Sequence, residues 1–240
     1  MNNTNAIIQV MNNKIRGRHT LRKVVELISR IPGSSALMGM AEDGLPVLWD
    51  TNAGASNIIV WNKKAKQGLK ILKVIAEYLF SYHKEVGMKA EQIEFVVLTC
   101  YPKDWGELNE YGFGTNEKTS CIGIIPFKSE LAGVVISGLA RWVNERHNSA
   151  KHPVIILIDG LETLKDMNEE FRNHFQYLLD MGRNRRVYVM GTASKNNFPH
   201  VQQWLSGFQA EIYGSDVDDE FEFMEDKKVI LFYTPKTELI

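Results

Sequence analysis

Residues 57–80 read NIIVWNKKAKQGLKILKVIAEYLF. NIIVW is a continuous apolar run, as expected for a strand of a parallel sheet covered on both faces. A basic loop follows. Leu69, Leu72, Ile75, Ala76 and Leu79 then recur at the spacing of an amphipathic helix. Strand, loop and helix in this order form the layout of a phosphate-binding loop. The residues that hold phosphate in such a loop follow G-x-x-x-x-G-K-[ST]: glycines for close backbone approach, lysine for the terminal phosphates, a hydroxyl for Mg²⁺. With Trp61 at the first glycine, Lys66 takes the second, Gln67 the lysine and Gly68 the hydroxyl. Sliding by one to use Lys66 as the lysine puts Val60 and Ala65 at the glycines and Gln67 at the hydroxyl. Neither register satisfies the pattern. Asn62, Lys63 and Lys64 complete the loop, which read by itself is equally a strand–helix connection with solvated lysines.

Downstream the alternation continues. IEFVVLT (93–99) predicts a second strand, YPKDWGELNEYGF (101–113) a short helix or turn, and SCIGIIPF (120–127) a third strand. SELAGVVISGLARWVNERHN (129–148) is apolar nearly all round, which predicts a buried helix. HPVIILIDGLETL (152–164) gives a fourth strand ending in acids, NEEFRNHFQYLLDMGRNRR (168–186) a helix, and VYVMGTAS (187–194) a fifth strand. A short helix over 199–208 leads to AEIYG (210–214). VILFYT (229–234) predicts an edge strand paired near EFEFM (220–224). Upstream, the apolar spacing from Arg18 to Ile31 predicts a helix stopped by Pro32-Gly33. ALMGM and LPVLW around AEDG predict a hairpin. Residues 1–17 are Asn-rich, with one short strand expected at Ala6–Val10. Alternation at this spacing means right-handed βαβ units and an open, mainly parallel sheet: an α/β fold.

Composition narrows the function classes. A net charge of −1 over 240 residues gives no general polyanion-binding signature, although KIRGRHTLRK (14–23) is locally basic. Cys100 and Cys121 are far apart, adjoin predicted strands and read as buried free thiols of a reducing compartment. The histidines form no metal set; His147 and His152 lack acidic or cysteine partners in pattern. No G-x-S-x-G elbow occurs. No apolar run approaches a membrane span, and the N-terminus lacks the pattern of a signal peptide, so a cytoplasmic protein is expected.

Four further features carry chemistry. Asp159 ends an apolar strand, the position from which a carboxylate holds Mg²⁺ through water; it is also a common helix-cap position. The next residue is Gly160, which cannot polarise water, and Glu162 lies nearby. Thr192 and Ser194 end a strand at the edge where open α/β sheets bind ligands, or act as plain caps. Arg183, Arg185 and Arg186 could contact phosphate or reach a neighbouring subunit as an arginine finger; a solvated loop is the alternative.

The order of these pieces resembles the FtsK/HerA family of P-loop motor ATPases. LMGMAEDGLPVLWD looks like the segment before the family's P-loop strand. NIIVWNKKAKQGLKILKVIAEYL stands where the family has Walker A, FVVLTCYPKDWGEL where it has its second strand, and PVIILIDGLETL where it has Walker B. FQYLLDMGRNRRVYVMGTAS resembles the Gly-Arg turn and sensor strand, and VQQWLSGFQAEIYG the segment after it. The resemblance covers residues 36–214. It implies a three-layer RecA-like P-loop NTPase fold with a mainly parallel central sheet flanked by helices, over residues 36–240, after an N-terminal segment, 1–35, with an amphipathic helix. It also implies ring assembly, ATP-driven DNA translocation and sites between subunits. Of the family's chemistry, Asp159, Thr192 and the arginine turn remain in place. Both Walker A glycines, the lysine, the hydroxyl and the catalytic glutamate are replaced. The expectation is a pseudo-ATPase, a scaffold or regulatory subunit of a DNA-translocation or secretion machine. It would work as a homo-oligomer or beside an active ATPase, with no cofactor unless the site still takes ATP and Mg²⁺. The alternatives are an active ATPase using Lys63, Lys64 or Lys66, and a non-catalytic DNA-binding module.

Overall fold

The computed structural model describes residues 19–28, 31–52, 57–83, 87–88, 92–110, 120–145, 152–225 and 228–238. The strand expected at Ala6–Val10 lies outside them.

The strands are β1 (Ile31–Pro32), β2 (Ser35–Ala41), β3 (Pro46–Asp50), β4 (Asn57–Asn62), β5 (Gly87–Met88), β6 (Glu94–Thr99), β7 (Cys121–Pro126), β8 (Val154–Asp159), β9 (Val187–Ser194), β10 (Ala210–Gly214), β11 (Glu220–Glu225) and β12 (Lys228–Tyr233). Ten of them form one sheet in the order β3-β2-β12-β11-β10-β4-β9-β8-β6-β7. From β10 to β7 every neighbour is parallel. From β10 to β3 every neighbour is antiparallel. The long helices are α1 (Leu21–Leu27), α2 (Leu69–Glu77, prolonged by a π turn to Tyr82), α3 (Glu130–Asn144) and α4 (Glu169–Met181).

Alternation along β4 sends successive side chains to opposite faces of the sheet. Ile58 and Val60 join a core with α1, α2 and β2, whereas Ile59 and Trp61 join a second core with α3 and α4. Both faces are therefore covered, which produces the three layers the sequence predicts and accounts for the unbroken apolar runs.

Three expectations need correction. β12 is not an edge strand: beyond its pairing with β11 it meets β2 through Phe232–Ala41 and Tyr233–Met40, so the edges are β3 and β7. α3 is buried on one face only. Ala132, Val135, Ile136, Ala140 and Val143 face the core, while Val134 is 60% exposed. The outward face carries Gly133, Ser137 and Gly138, whose lack of charge mimics burial in a periodicity reading. α1 ends at Leu27, and Ile31 belongs to β1, buried there rather than on the helix.

Candidate functional site

Parallel pairing brings the C-terminal ends of β4, β9, β8 and β6 to one sheet edge. Asn62 stands opposite Ser194, and Thr99 opposite Asp159. The basic loop, the strand-end acid and the threonine and serine of β9 therefore converge, at the edge where open α/β sheets place ligands.

The loop is closed by its own side chains. Asn62 Oδ1 accepts from the Gly68 N–H at 2.5 Å. Gln67, where a phosphate loop carries its lysine, is only 2% exposed. Its Oε1 accepts from the Lys64 N–H at 3.3 Å, and its Nε2 donates to the carbonyls of Ser215 and Val217 at 3.0 and 3.1 Å. At Gly68, the hydroxyl position, an added Cβ would lie 2.7 Å from Asn62 Oδ1, 2.8 Å from Val60 Cγ1 and 3.0 Å from Thr192 Cγ2. Lys66 keeps the left-handed backbone, φ 60°, at the position the first register assigns to the second glycine. The turn persists there without the glycine.

Each loop lysine has a carboxylate partner. Lys63 pairs with Asp216 and Lys64 with Asp218, both at 2.8 Å, and Lys66 pairs with Asp104 at 2.6 Å. Lys70, in the first turn of α2, pairs with Asp219 at 2.6 Å. The lysines hold Asp216 and Asp218 below the usual carboxylate range, and the bond to Asp104 raises Lys66. Each pair is at least partly exposed and worth little singly. Together with Gln67, the pairs to Asp216, Asp218 and Asp219 tie the loop and the start of α2 to the turn between β10 and β11, while Asp104 holds Lys66 from the helical segment after β6. Sequence reasoning missed all four acids. For Asp216, Asp218 and Asp219 the signal was present as the acidic turn GSDVDDE (214–220), but nothing local ties it to lysines about 150 positions away; Asp104 stands apart, in YPKDWGEL (101–108).

Trp61 is not in the turn. It is a strand residue whose indole stacks on Phe198, centroids 6.0 Å apart, and whose Nε1 donates to Glu211 Oε2 at 2.8 Å. Tyr213 donates to the same oxygen. Burial and then that carboxylate push the Tyr213 hydroxyl up to about 12. The indole thus packs on the face opposite α2 and leaves the loop to smaller groups.

Asp159 Oδ2 accepts from Thr99 Oγ1 at 2.9 Å. Burial raises its pKa, the Thr99 bond opposes this, and Asp104 and Glu162 add to it. Gly160 adopts φ 95°, and its N–H donates to Thr192 Oγ1 at 3.0 Å. Thr192, 1% exposed, thus fixes the turn after the strand-end acid. Glu162 Oε1 accepts from Asn197, while its buried Oε2 has no hydrogen-bond partner among the described residues.

Arg183, Arg185 and Arg186 precede β9 and lie at the opposite sheet edge. At roughly 3.3 Å per residue, β9 separates them from the loop edge by about 23 Å. The structure does not bring them to the other candidate residues of this chain. Among the described residues no cluster of His, Cys, Asp and Glu could hold a metal ion.

A magnesium nucleotide would require free loop N–H groups, an unpaired lysine and a hydroxyl. As folded, the Gly68 and Lys64 N–H groups are taken, each lysine is paired, and position 68 has no room for a serine. These residues do not fit that group in the way the pattern demands.

A scan against protein-family models finds no match, and a search of curated proteins finds none. Solved structures do match. The cytoplasmic domain of EssC superposes with a TM-score of 0.63 at 16% identity, over 92% of this chain and 47% of that one. EssC (ATPases 2 and 3) from Geobacillus thermodenitrificans gives 0.63 at 13%, over 92% and 45%. The pCW3 conjugation coupling protein TcpA, solved with ATPγS, gives 0.58 at 11%, over 88% and 71%. The chain spans just under half of the EssC chains. Its fold is the RecA-like P-loop fold of these ATPase domains. Among the described residues no helix is long and apolar enough to cross a membrane.

Proposed function

We propose that this chain is a P-loop-type domain without phosphate chemistry, acting as a scaffold or regulatory unit beside active ATPases in a secretion or DNA-translocation machine. One observation carries the reading: the loop satisfies itself. Asn62 caps Gly68, Gln67 binds Lys64 and the β10–β11 turn, and carboxylates hold the lysines that a nucleotide would need. Displacing these contacts costs a ligand binding energy before it gains any. The match to one part of longer ATPase chains supports a modular setting, with a second copy or an active ATPase as partner. The arginine turn, remote from this chain's own loop, suits a role at a neighbour's site.

A second reading, an active ATPase with an unusual loop, is favoured by Asp159 and by the unpartnered Glu162 oxygen beside it. Calorimetric titration with ATP and Mg²⁺, plus a sensitive hydrolysis assay on the full chain and Asp159→Ala, separates the two. The expected result is neither saturable binding nor turnover. Turnover abolished by Asp159→Ala would overturn the scaffold reading. For the DNA-binding alternative, Arg22 and Lys23 already face Glu26, at 3.5 and 3.9 Å. Retention on DNA that falls steeply with salt would restore it.

A further inference from the structure

On the far side of the loop, α2 carries a second cationic feature. Lys70 and Lys73 lie one turn apart on α2, and Lys66 stands in the loop before it. Lys66 and Lys70 are paired with Asp104 and Asp219. Lys73 is half-buried and has neither a hydrogen bond nor an ion pair among the described residues. Burial lowers its pKa; Asp104 and Asp159 oppose this from a distance, and Lys66 adds to it. A half-buried ammonium without a partner is costly, and such groups concentrate where a ligand completes them.

The segment after β12 crosses this face. The Glu238 N–H donates to both carboxylate oxygens of buried Glu77, at 2.9 and 3.1 Å. Lys236 N donates to His19 O, and Leu21 N donates to Lys236 O, at 3.0 and 2.8 Å. The segment is therefore tied down at both ends. Between it and α2 lies a cavity of about 370 Å³, lined by Lys70, Lys73, Asp219, Pro235, Lys236 and Thr237. Asp219 is engaged by Lys70. The Lys236 ammonium, like that of Lys73, has no partner among the described residues.

We propose that this cavity binds a phosphate monoester dianion between the ammonium groups of Lys73 and Lys236. Two cations match two charges. Pro235 and the lysine stems supply an apolar wall for an organic group, and the volume suits a small ligand. The site is distinct from the basic loop and does not depend on the pseudo-ATPase reading.

Titration calorimetry on the full chain at fixed ionic strength tests this, with inorganic phosphate in one arm and adenosine 5′-monophosphate in the other. Saturable one-to-one binding is expected, weakened at least about tenfold by Lys73→Met and by Lys236→Met. Equal affinity for the two ligands means that the phosphate group alone is read; tighter binding of the monophosphate means that the organic part is read too. If Lys73→Met fails to fold, Lys236→Met, on an exposed residue, carries the test. Absence of saturable binding at millimolar ligand overturns the proposal. So does binding that is lost in Lys66→Met yet kept in Lys73→Met and Lys236→Met, which would place the anion in the loop.

Discussion

Gln67 occupies the space into which a side chain on Gly214 would project: a Cβ there would lie 2.1 Å from Gln67 Oε1 and 2.5 Å from its Cδ. The two positions, on opposite sides of the loop-to-turn contact, are matched to each other. Gly214→Ala should displace the amide from its bonds to Ser215, Val217 and Lys64. The expected loss is about 1–2 kcal/mol of unfolding free energy, the usual scale for buried hydrogen bonds that are broken. Denaturant unfolding of the variant against the parent checks it, and Gln67→Ala in the Gly214→Ala background should add little further loss.

Restoring the hydroxyl should not restore the chemistry. Gly68→Ser places a Cβ within 3.0 Å of Asn62, Val60 and Thr192. The variant should lose about 1–3 kcal/mol through overpacking and gain no ATP turnover. Thermal unfolding and a hydrolysis assay on the same preparation measure both. A stable variant with magnesium-dependent turnover would mean that the space is not filled as described.

Asp159 should cost stability at neutral pH. Burial raises its pKa in the folded state above 3.8, so the native chain binds its proton more tightly than the unfolded chain does. Stability from this group therefore falls as pH rises from 3.8 through the folded pKa. Asp159→Asn should be more stable than the parent at pH 7, with the difference shrinking as pH is lowered toward 3.8. Urea midpoints across that range give the answer.

Asp216 and Asp218 should behave in the opposite sense. Their lysines hold the folded pKa values below 3.8, so their contribution is present above 3.8 and lost as pH falls through the lowered values. Screening at high salt should weaken it as well. Protection of the amides in residues 63–68, taken relative to intrinsic exchange at each pH, should fall in Asp216→Asn/Asp218→Asn at neutral pH, and the difference between parent and variant should vanish in acid.

Trp61→Phe should keep the stack on Phe198 but remove the donor to Glu211, at a cost of about 1 kcal/mol. Trp61→Ala should cost about 3–5 kcal/mol. Neither should open the loop to nucleotide, because the indole is not in it; nucleotide binding gained by Trp61→Ala would contradict that placement.

The parallel half of the sheet was legible because strands buried on both faces write themselves as unbroken apolar runs: NIIVW, VIILID and VYVMGTA. The loop's location was legible from the order of strand, loop and helix. Its failure to match the phosphate pattern was legible residue by residue. What replaced the phosphate was not. Gln67 reads as a missing lysine, yet its amide is a structural bracket between two loops. Asp216, Asp218 and Asp219 were not singled out at all, because ion pairs between loops distant in sequence leave no periodic trace. β12 read as an edge because only two of its residues meet β2, too few to mark a sequence pattern.

The turn that holds Lys63, Lys64 and Lys70 is also where the sheet changes from parallel to antiparallel, between β10 and β11. The contacts that close the loop are thus part of the joint between the two halves of the molecule. A step back toward the phosphate-binding pattern at position 68 meets filled space, and a side chain at position 214 meets Gln67. Each substitution is costly until its neighbours have changed. The two glycines and the side chains that fill the space beside them form an interlock, in which one part cannot be exchanged without the other.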